Sequence, residues 1–168
     1  AVVLGLGCDS FGSGVQGSGV AGGEDRTVDA FTRIEQAGSA NLELEVGAPQ
    51  RVRVESDDNI LPLIETKTVE GTLRISSTKN YSAKTGVLVK AAAPVIEAVT
   101  VAGAGDVKAS GIAGEKFVAS IKGSGDMKLA GAVKELEVSV NGSGDVDASG
   151  ITAARVVVRI SGSGDVKV

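Results

Sequence analysis

Histidine and tryptophan are absent from this 168-residue chain, and its only aromatic side chains are Phe11, Phe31, Phe117 and Tyr81. Without histidine the usual general base, the Ser-His nucleophile pair and the commonest zinc ligand are all missing. The scarcity of rings removes the stacking platforms that single-stranded nucleic acids need. It weakens sugar binding by ring stacking in the same way. A single cysteine, Cys8, cannot form an internal disulfide. Positive charge is not in excess either: the net charge is −4, and no basic field is concentrated anywhere, so no nucleic-acid partner is expected.

What is present is apolar, branched and glycine-punctuated. Hydrophobic residues make up 42% of the chain, almost all Val, Ile, Leu and Ala, which is ample for one core. Twenty-four glycines against three prolines predict many tight turns and few rigid ones. Such a Val-rich, helix-poor sequence argues for β structure throughout.

The chain opens on the apolar run Ala1–Leu6, far shorter than the ~20 residues a bilayer span takes. It reads as the end of a secretory hydrophobic region, residues 1–8, closing on Gly7-Cys8. The arrangement resembles a bacterial lipoprotein signal in which Cys8 becomes the lipidated first residue. Gly5 and Leu6 stand where that pattern usually carries Leu and a small residue; the alternative is an incidental thiol. Residues 9–24 have the composition of a flexible Gly/Ser tether or a plain disordered terminus. The folded domain is expected over residues 25–168.

Four near-copies of one tetrapeptide mark the second half: Gly103-Ala104-Gly105-Asp106, Gly123-Ser124-Gly125-Asp126, Gly142-Ser143-Gly144-Asp145 and Gly162-Ser163-Gly164-Asp165. Their aspartates are 20, 19 and 20 positions apart, and a fixed period of that size signals stacked units that cannot bury an apolar face alone. Apolar residues alternate on both sides of each corner (Val138 and Val140 before, Val146 and Ala148 after), as in strands with one buried face. A second glycine turn follows at Gly111, Gly131 and Gly150. The expectation is an all-β, right-handed parallel β-helix-like solenoid with coils of two or three short strands, an irregular N-terminal cap and an incomplete last coil. An antiparallel meander is the competing topology. The first half extends the pattern in degenerate form, with Asn41 in the aspartate position and alternation at Leu42, Leu44 and Val46, then Val52 and Val54, Leu73 and Ile75, Val87 and Val89.

The corners read as structural. Glycine supplies positive φ, and Ser and Asp oxygens accept from turn amides. Each corner offers one carboxylate, too few for calcium's six to eight oxygens, and no Lys-Ser/Thr follows as phosphate cradling requires. Thus no metal and no cofactor is expected. Lys108, Lys128 and Lys167, two residues after three of the aspartates, predict a cationic ladder beside the anionic one, with unpaired negative charge collecting at Asp147. Asp57-Asp58-Asn59 reads as a solvated turn or, alternatively, a metal or partner site.

Together, Arg26-Thr27-Val28-Asp29-Ala30-Phe31-Thr32-Arg33-Ile34, Gly38-Ser39-Ala40, Asp58-Asn59-Ile60-Leu61-Pro62, Gly71-Thr72-Leu73-Arg74-Ile75 and the serial corners resemble the head GIN domain family, named for bacterial autotransporter-type adhesins and largely unassigned in function. The resemblance implies a β-helix-like domain on exported, often lipidated envelope proteins, with no catalytic residues to carry over. The leading expectation is therefore a non-enzymatic envelope module, held at a membrane through Cys8 and meeting an unknown envelope or surface partner. The alternatives are a carbohydrate-active lyase or glycosidase using Asp126, Asp145 and Asp147, or a periplasmic sensing or scaffolding partner of a membrane protein.

Overall fold

The computed structural model describes residues 14–168. They form an all-β structure of fourteen strands and one short 3-10 turn, Leu61–Leu63, with no α-helix among the described residues. In the repeat half each unit is one long strand: β11 (Val107–Ile121), β12 (Met127–Val140) and β13 (Val146–Ile160). The expected two or three short strands per coil are thus replaced by one strand that bends without ending. The ladder slips between Ala109 and Ile112 and again between Lys128 and Ala130, next to the second glycines, so the bend is absorbed as a bulge.

Successive units pair in parallel and in register. Val107, Met127 and Val146 are aligned, as are Ala119, Val138 and Val158. The meander is thereby excluded for this half. Below the repeats, the first half of β11 pairs with β4 (Asn41–Val46) and that with β9 (Leu88–Ala93), both in parallel. The second half of β11 pairs with β10 (Ala98–Val101), then β3 (Arg33–Gln36), then β7 (Thr72–Ser77), again in parallel. One sheet therefore bends along β11–β13 to make two walls around one core.

The solenoid expectation needs correction at the other end, because the sheet is mixed. β5 (Arg51–Asp57) runs antiparallel to β9, β2 (Ala21–Arg26) antiparallel to β5, and β6 (Ile64–Val69) antiparallel to β7. The reason is local at β6–β7: Glu70 and Gly71 have φ of 50° and 76°, the two-residue turn that reverses a strand and that no parallel crossover can use. Rung order also departs from chain order. The degenerate unit carrying Asn41 lies between the strands of residues 72–93 and those of 98–121.

The core consists of ladders one residue wide. Leu73, Ile34, Val99, Ala119 and Val138 stack with no more than 1% exposure, as do Val54, Val89, Leu42, Val107 and Met127 on the other wall. Branched aliphatics suit this geometry, since each lies directly on its counterpart one strand spacing away, about 4.8 Å.

Residues 15–24, expected as part of a flexible tether, are folded. β1 (Val15–Gln16) pairs in parallel with β8 (Tyr81–Ser82), and β2 covers β5. The glycines here serve close packing. A Cβ on Gly14 would strike the Asn80 backbone, one on Gly17 the Asp57 carboxylate, and one on Gly23 the Arg53 guanidinium. The remainder of that tether, residues 9–13, and Cys8 lie outside the described residues.

Leu136, 1% exposed between Phe117 and Val156 of the neighbouring rungs, should cost about 2–5 kcal/mol when truncated to alanine. Val158→Ala, at the 40% exposed end of its ladder, should cost well under half as much. Urea unfolding of the two variants checks this, and equal losses would contradict the stacked order.

Candidate functional site

At each repeat corner the two glycines sit on the carbonyls of the rung below. A Cβ on Gly103, Gly123, Gly142 or Gly162 would collide with the carbonyl oxygen of Gly38, Gly103, Gly123 or Gly142 respectively. Likewise, Gly105, Gly125, Gly144 and Gly164 rest on Ala40, Gly105, Gly125 and Gly144. Of these eight glycines only Gly162 has a positive φ. The expectation that the corners use glycine for its left-handed conformation is corrected: what they require is the missing side chain.

The aspartates form a continuous chain of side chain to main chain bonds. Asn41 Oδ1 accepts from the N–H of Asp106 at 3.0 Å, and Asp106 Oδ1 from that of Asp126 at 3.0 Å. Asp126 Oδ1 then accepts from Asp145 N–H at 2.9 Å and Asp145 Oδ1 from Asp165 N–H at 2.8 Å. Each carboxylate thus holds the rung above through one oxygen. Asn41 does the same with an amide oxygen, which explains why the degenerate unit dispenses with a charge. At the base of the stack, where the other rungs carry Val or Ile, the fully buried Gln36 donates Nε2 to the carbonyls of Gly38 and Ala40 at 2.7 and 2.6 Å. Sequence reasoning missed Gln36; a lone polar residue at an apolar ladder position was the available signal.

A row of charged residues crosses the outward face of the first wall, one per strand: Asp25, Arg53, Lys90, Glu43, Lys108, Lys128, Asp147 and Lys167 are successive neighbours. Asp147 lies between Lys128 and Lys167, so the expected accumulation of unpaired negative charge does not occur. The Ser149 hydroxyl and N–H, donating to Asp147 Oδ1 at 2.5 and 3.0 Å, together with Lys167 and Lys128, hold its carboxyl below the usual range. That direction is the reverse of what a general acid needs. Asp126 and Asp145, the other residues of the enzyme alternative, each have one oxygen committed to the corner chain.

The same face is concave. A groove of about 710 Å³ runs over β5, β9, β4, β11 and β12. It is lined by small residues, Ala91, Ala92, Ala109, Ser110 and Ala130, and by charged ones of both signs, Glu43 and Glu45 among them. On one side Arg53 pairs with Asp25 and Glu55 at 3.3 and 3.2 Å, Arg51 with Asp25 at 3.5 Å, and Lys90 with Glu55 at 3.6 Å. On the other side Lys108 and Lys128 have no carboxylate within ion-pair distance among the described residues. The sequence showed Lys108 and Lys128, but their meeting with Arg51, Arg53, Glu55 and Lys90 depends on strand pairings without a local signal.

Asp57-Asp58-Asn59 is neither a free turn nor a metal cluster. Asp57 is fully buried and accepts from Gly19 N–H (3.0 Å), Lys84 N–H (2.6 Å) and the Thr85 hydroxyl (3.2 Å). Asp58 accepts from the Ser18 hydroxyl, and Asn59 exchanges bonds with Ser18 N–H and the Gln16 carbonyl, both 2.8 Å. The triplet clasps residues 16–19 onto the body. Burial pushes the Asp57 carboxyl up, but the donors from Lys84, Thr85 and Gly19 outweigh it and hold it below the usual range. No group of three or more His, Cys, Asp or Glu that could hold a metal occurs among the described residues. No helix among them is long and apolar enough to cross a membrane.

A family model described as "Putative auto-transporter adhesin, head GIN domain" matches residues 30–168. Among curated proteins none matches in sequence. A crystal structure of a "putative adhesin" from Parabacteroides distasonis ATCC 8503 is 20% identical with a TM-score of 0.71, covering 91% of this chain and 75% of that one. Another "putative adhesin", from Bacteroides fragilis NCTC 9343, is 16% identical with a TM-score of 0.63, covering 92% and 99%. A "putative lipid binding protein" from P. distasonis is 15% identical with a TM-score of 0.51, covering 92% and 99%. At these identities the likeness is one of fold.

Asp126→Asn keeps the acceptor that Asn41 already supplies elsewhere and should be nearly neutral, whereas Asp126→Ala should cost about 1 kcal/mol; urea midpoints distinguish them. For Asp57 the folded-state pKa lies below the unfolded one, so its contribution is complete above the unfolded value and lost as pH falls through the folded one. Unfolding stability should therefore drop as pH falls below about 4, and Asp57→Asn should flatten that acid limb. An unchanged limb would contradict the clasp.

Proposed function

The chain belongs to the head GIN domain family, and on that premise we propose that it is a non-enzymatic adhesion or interaction module of the bacterial cell envelope. In this reading the protein is exported, Cys8 carries the lipid that holds it at a membrane, and the repeats wind right-handedly, the sense parallel crossovers overwhelmingly take. The groove over β5, β9, β4, β11 and β12 is the contact face. The observation that carries the proposal is the groove's lining: small residues, ion pairs along one side, and two cations, Lys108 and Lys128, that make no direct ion pair among the described residues and have Glu43 and Asp147 as cross-strand neighbours. Such a surface recognises an acidic polymer by charge and shape. Nothing in it pairs a nucleophile with a base.

The corner aspartates have a backbone task that repeats identically from rung to rung, whereas a catalytic carboxylate needs an environment that sets it apart from its neighbours. This favours binding over the carbohydrate-active alternative.

Binding of immobilised polygalacturonate at low salt tests the contact face and the alternative together. Lys108→Glu/Lys128→Glu should weaken retention roughly tenfold, since two exposed ion pairs contribute about 1 kcal/mol or a little more. Equal binding by wild type and double variant would remove the groove from the proposal. Cleavage of the polymer, abolished by Asp145→Ala, would replace the module with an enzyme. Anchoring is tested separately, by labelling a secreted precursor with a palmitate analogue; absence of label that depends on Cys8 would remove the lipid.

A further inference from the structure

The order of charges along the groove selects among acidic ligands. Successive strands present Arg53, Lys90, Glu43, Lys108, Lys128 and Asp147, so the Lys108–Lys128 pair is bounded by a carboxylate on each side. The two lysines occupy the same register position on neighbouring strands. Such positions lie about 4.8 Å apart, close enough for both ammonium groups to donate to one tetrahedral oxyanion. Two residues further along the strands, Arg51, Ala92, Glu45 and Ser110 are likewise successive neighbours. Glu43 and Glu45 are exposed, line the groove and make no ion pair among the described residues. Carboxylates in that position accept hydrogen bonds from hydroxyls and repel anions. The apolar lining is alanine and the buried Leu44, which leaves nothing to hold an acyl chain.

Resting on this groove as the contact face, we propose that its ligand is a glycan of sparse charge, with one phosphomonoester seated between Lys108 and Lys128 and neutral sugar hydroxyls donating to Glu43 and Glu45. A phosphomonoester carries close to two negative charges at neutral pH and three acceptor oxygens, which matches two cations. A sulfate ester or a uronate carboxylate brings one charge only. A sugar residue is about as long as one strand spacing, so a polymer with a carboxylate on every residue would lay anions over Glu43 and Asp147 as well as over the lysines. Like charges there offset much of what the lysines contribute. A single phosphate with neutral neighbours meets no such opposition. The Ser110 hydroxyl, held only by a 3.5 Å bond to the Leu44 carbonyl, is a further donor two residues from Lys108.

Titrations of the isotope-labelled chain followed by NMR test this, and the spectra themselves report whether each variant is folded. Mannose 6-phosphate should shift the amides around Lys108 and Lys128 and bind about threefold tighter than mannose 6-sulfate, the factor one additional exposed ion pair provides. It should also bind more tightly than inorganic phosphate, and vesicles containing phosphatidic acid should compete no better than inorganic phosphate. Glu43→Gln should strengthen binding of oligogalacturonate about threefold and of mannose 6-phosphate by less, because only the first places a charge over that residue. Sulfate equal to phosphate, inorganic phosphate equal to the sugar phosphate, stronger competition by the vesicles, or an equal gain for both ligands in Glu43→Gln would each overturn this ligand chemistry while leaving the groove as the contact face. Lys108→Glu/Lys128→Glu should abolish the mannose 6-phosphate response. Shifts that persist in that variant, or no shift near the groove with any of the probes, would overturn the ligand and the contact face together.

Discussion

Successive rungs touch backbone to backbone at the Gly-x-Gly-Asp corners, and that contact governs the rest of the structure. Parallel strands one spacing apart can stay in register through a corner only if the corner itself stacks. Stacking it leaves no room for a Cβ at Gly105, Gly125 or Gly144, each of which lies on the carbonyl of the rung below. Once the corner is fixed, the residues on either side follow. Val107, Met127 and Val146 fall on one line, and Ala119 and Val138 on another, so the core is a set of ladders instead of a jigsaw of unlike side chains. The aspartate completes the corner by capturing the next rung's amide, a bond the ladder cannot supply at the bend.

The same regularity organises charge. Because each strand contributes one outward residue at a given height, Lys108, Lys128, Asp147 and Lys167 are nearest neighbours regardless of their distance in sequence. Opposite charges side by side stabilise a sheet and like charges oppose it. Asp147 between two lysines is therefore compensation. The antiparallel strands of the first half bring Arg51, Arg53 and Glu55 to the same face and so make a concave surface. The mixed sheet is what turns a plain stack into one with a recognisable face.

Part of this was legible beforehand, and the reasons differ by element. The corner period and the alternation at Val138 and Val140 are local patterns, and they led directly to in-register parallel pairing. Asn41 was identified with the aspartate position because its flanks, Gly38-Ser39 and Leu42-Glu43-Leu44, kept the pattern. Residues 21–24 of β2 fall in the expected tether, since Gly22 and Gly23 have the composition of a linker while their structural task is to admit a neighbour: Gly23 faces Arg53, far away in sequence. The β6–β7 reversal was missed because Glu70-Gly71 lacks the Asn-Gly or Asp-Gly signature of a tight hairpin. Asp57, Asp58 and Asn59 looked solvated; only folding supplies their donors, from Ser18, Gly19, Lys84 and Thr85.

The chain by itself determined an all-β domain, the repeat, the role of stacking and the absence of histidine chemistry, because these depend on composition and on periods no longer than one rung. Tertiary structure alone decided the mixed strand order, the groove and the burial of Asp57. Those depend on which distant segments become neighbours, and pairing energies between strands are nearly the same for many partners until one closed core selects among them.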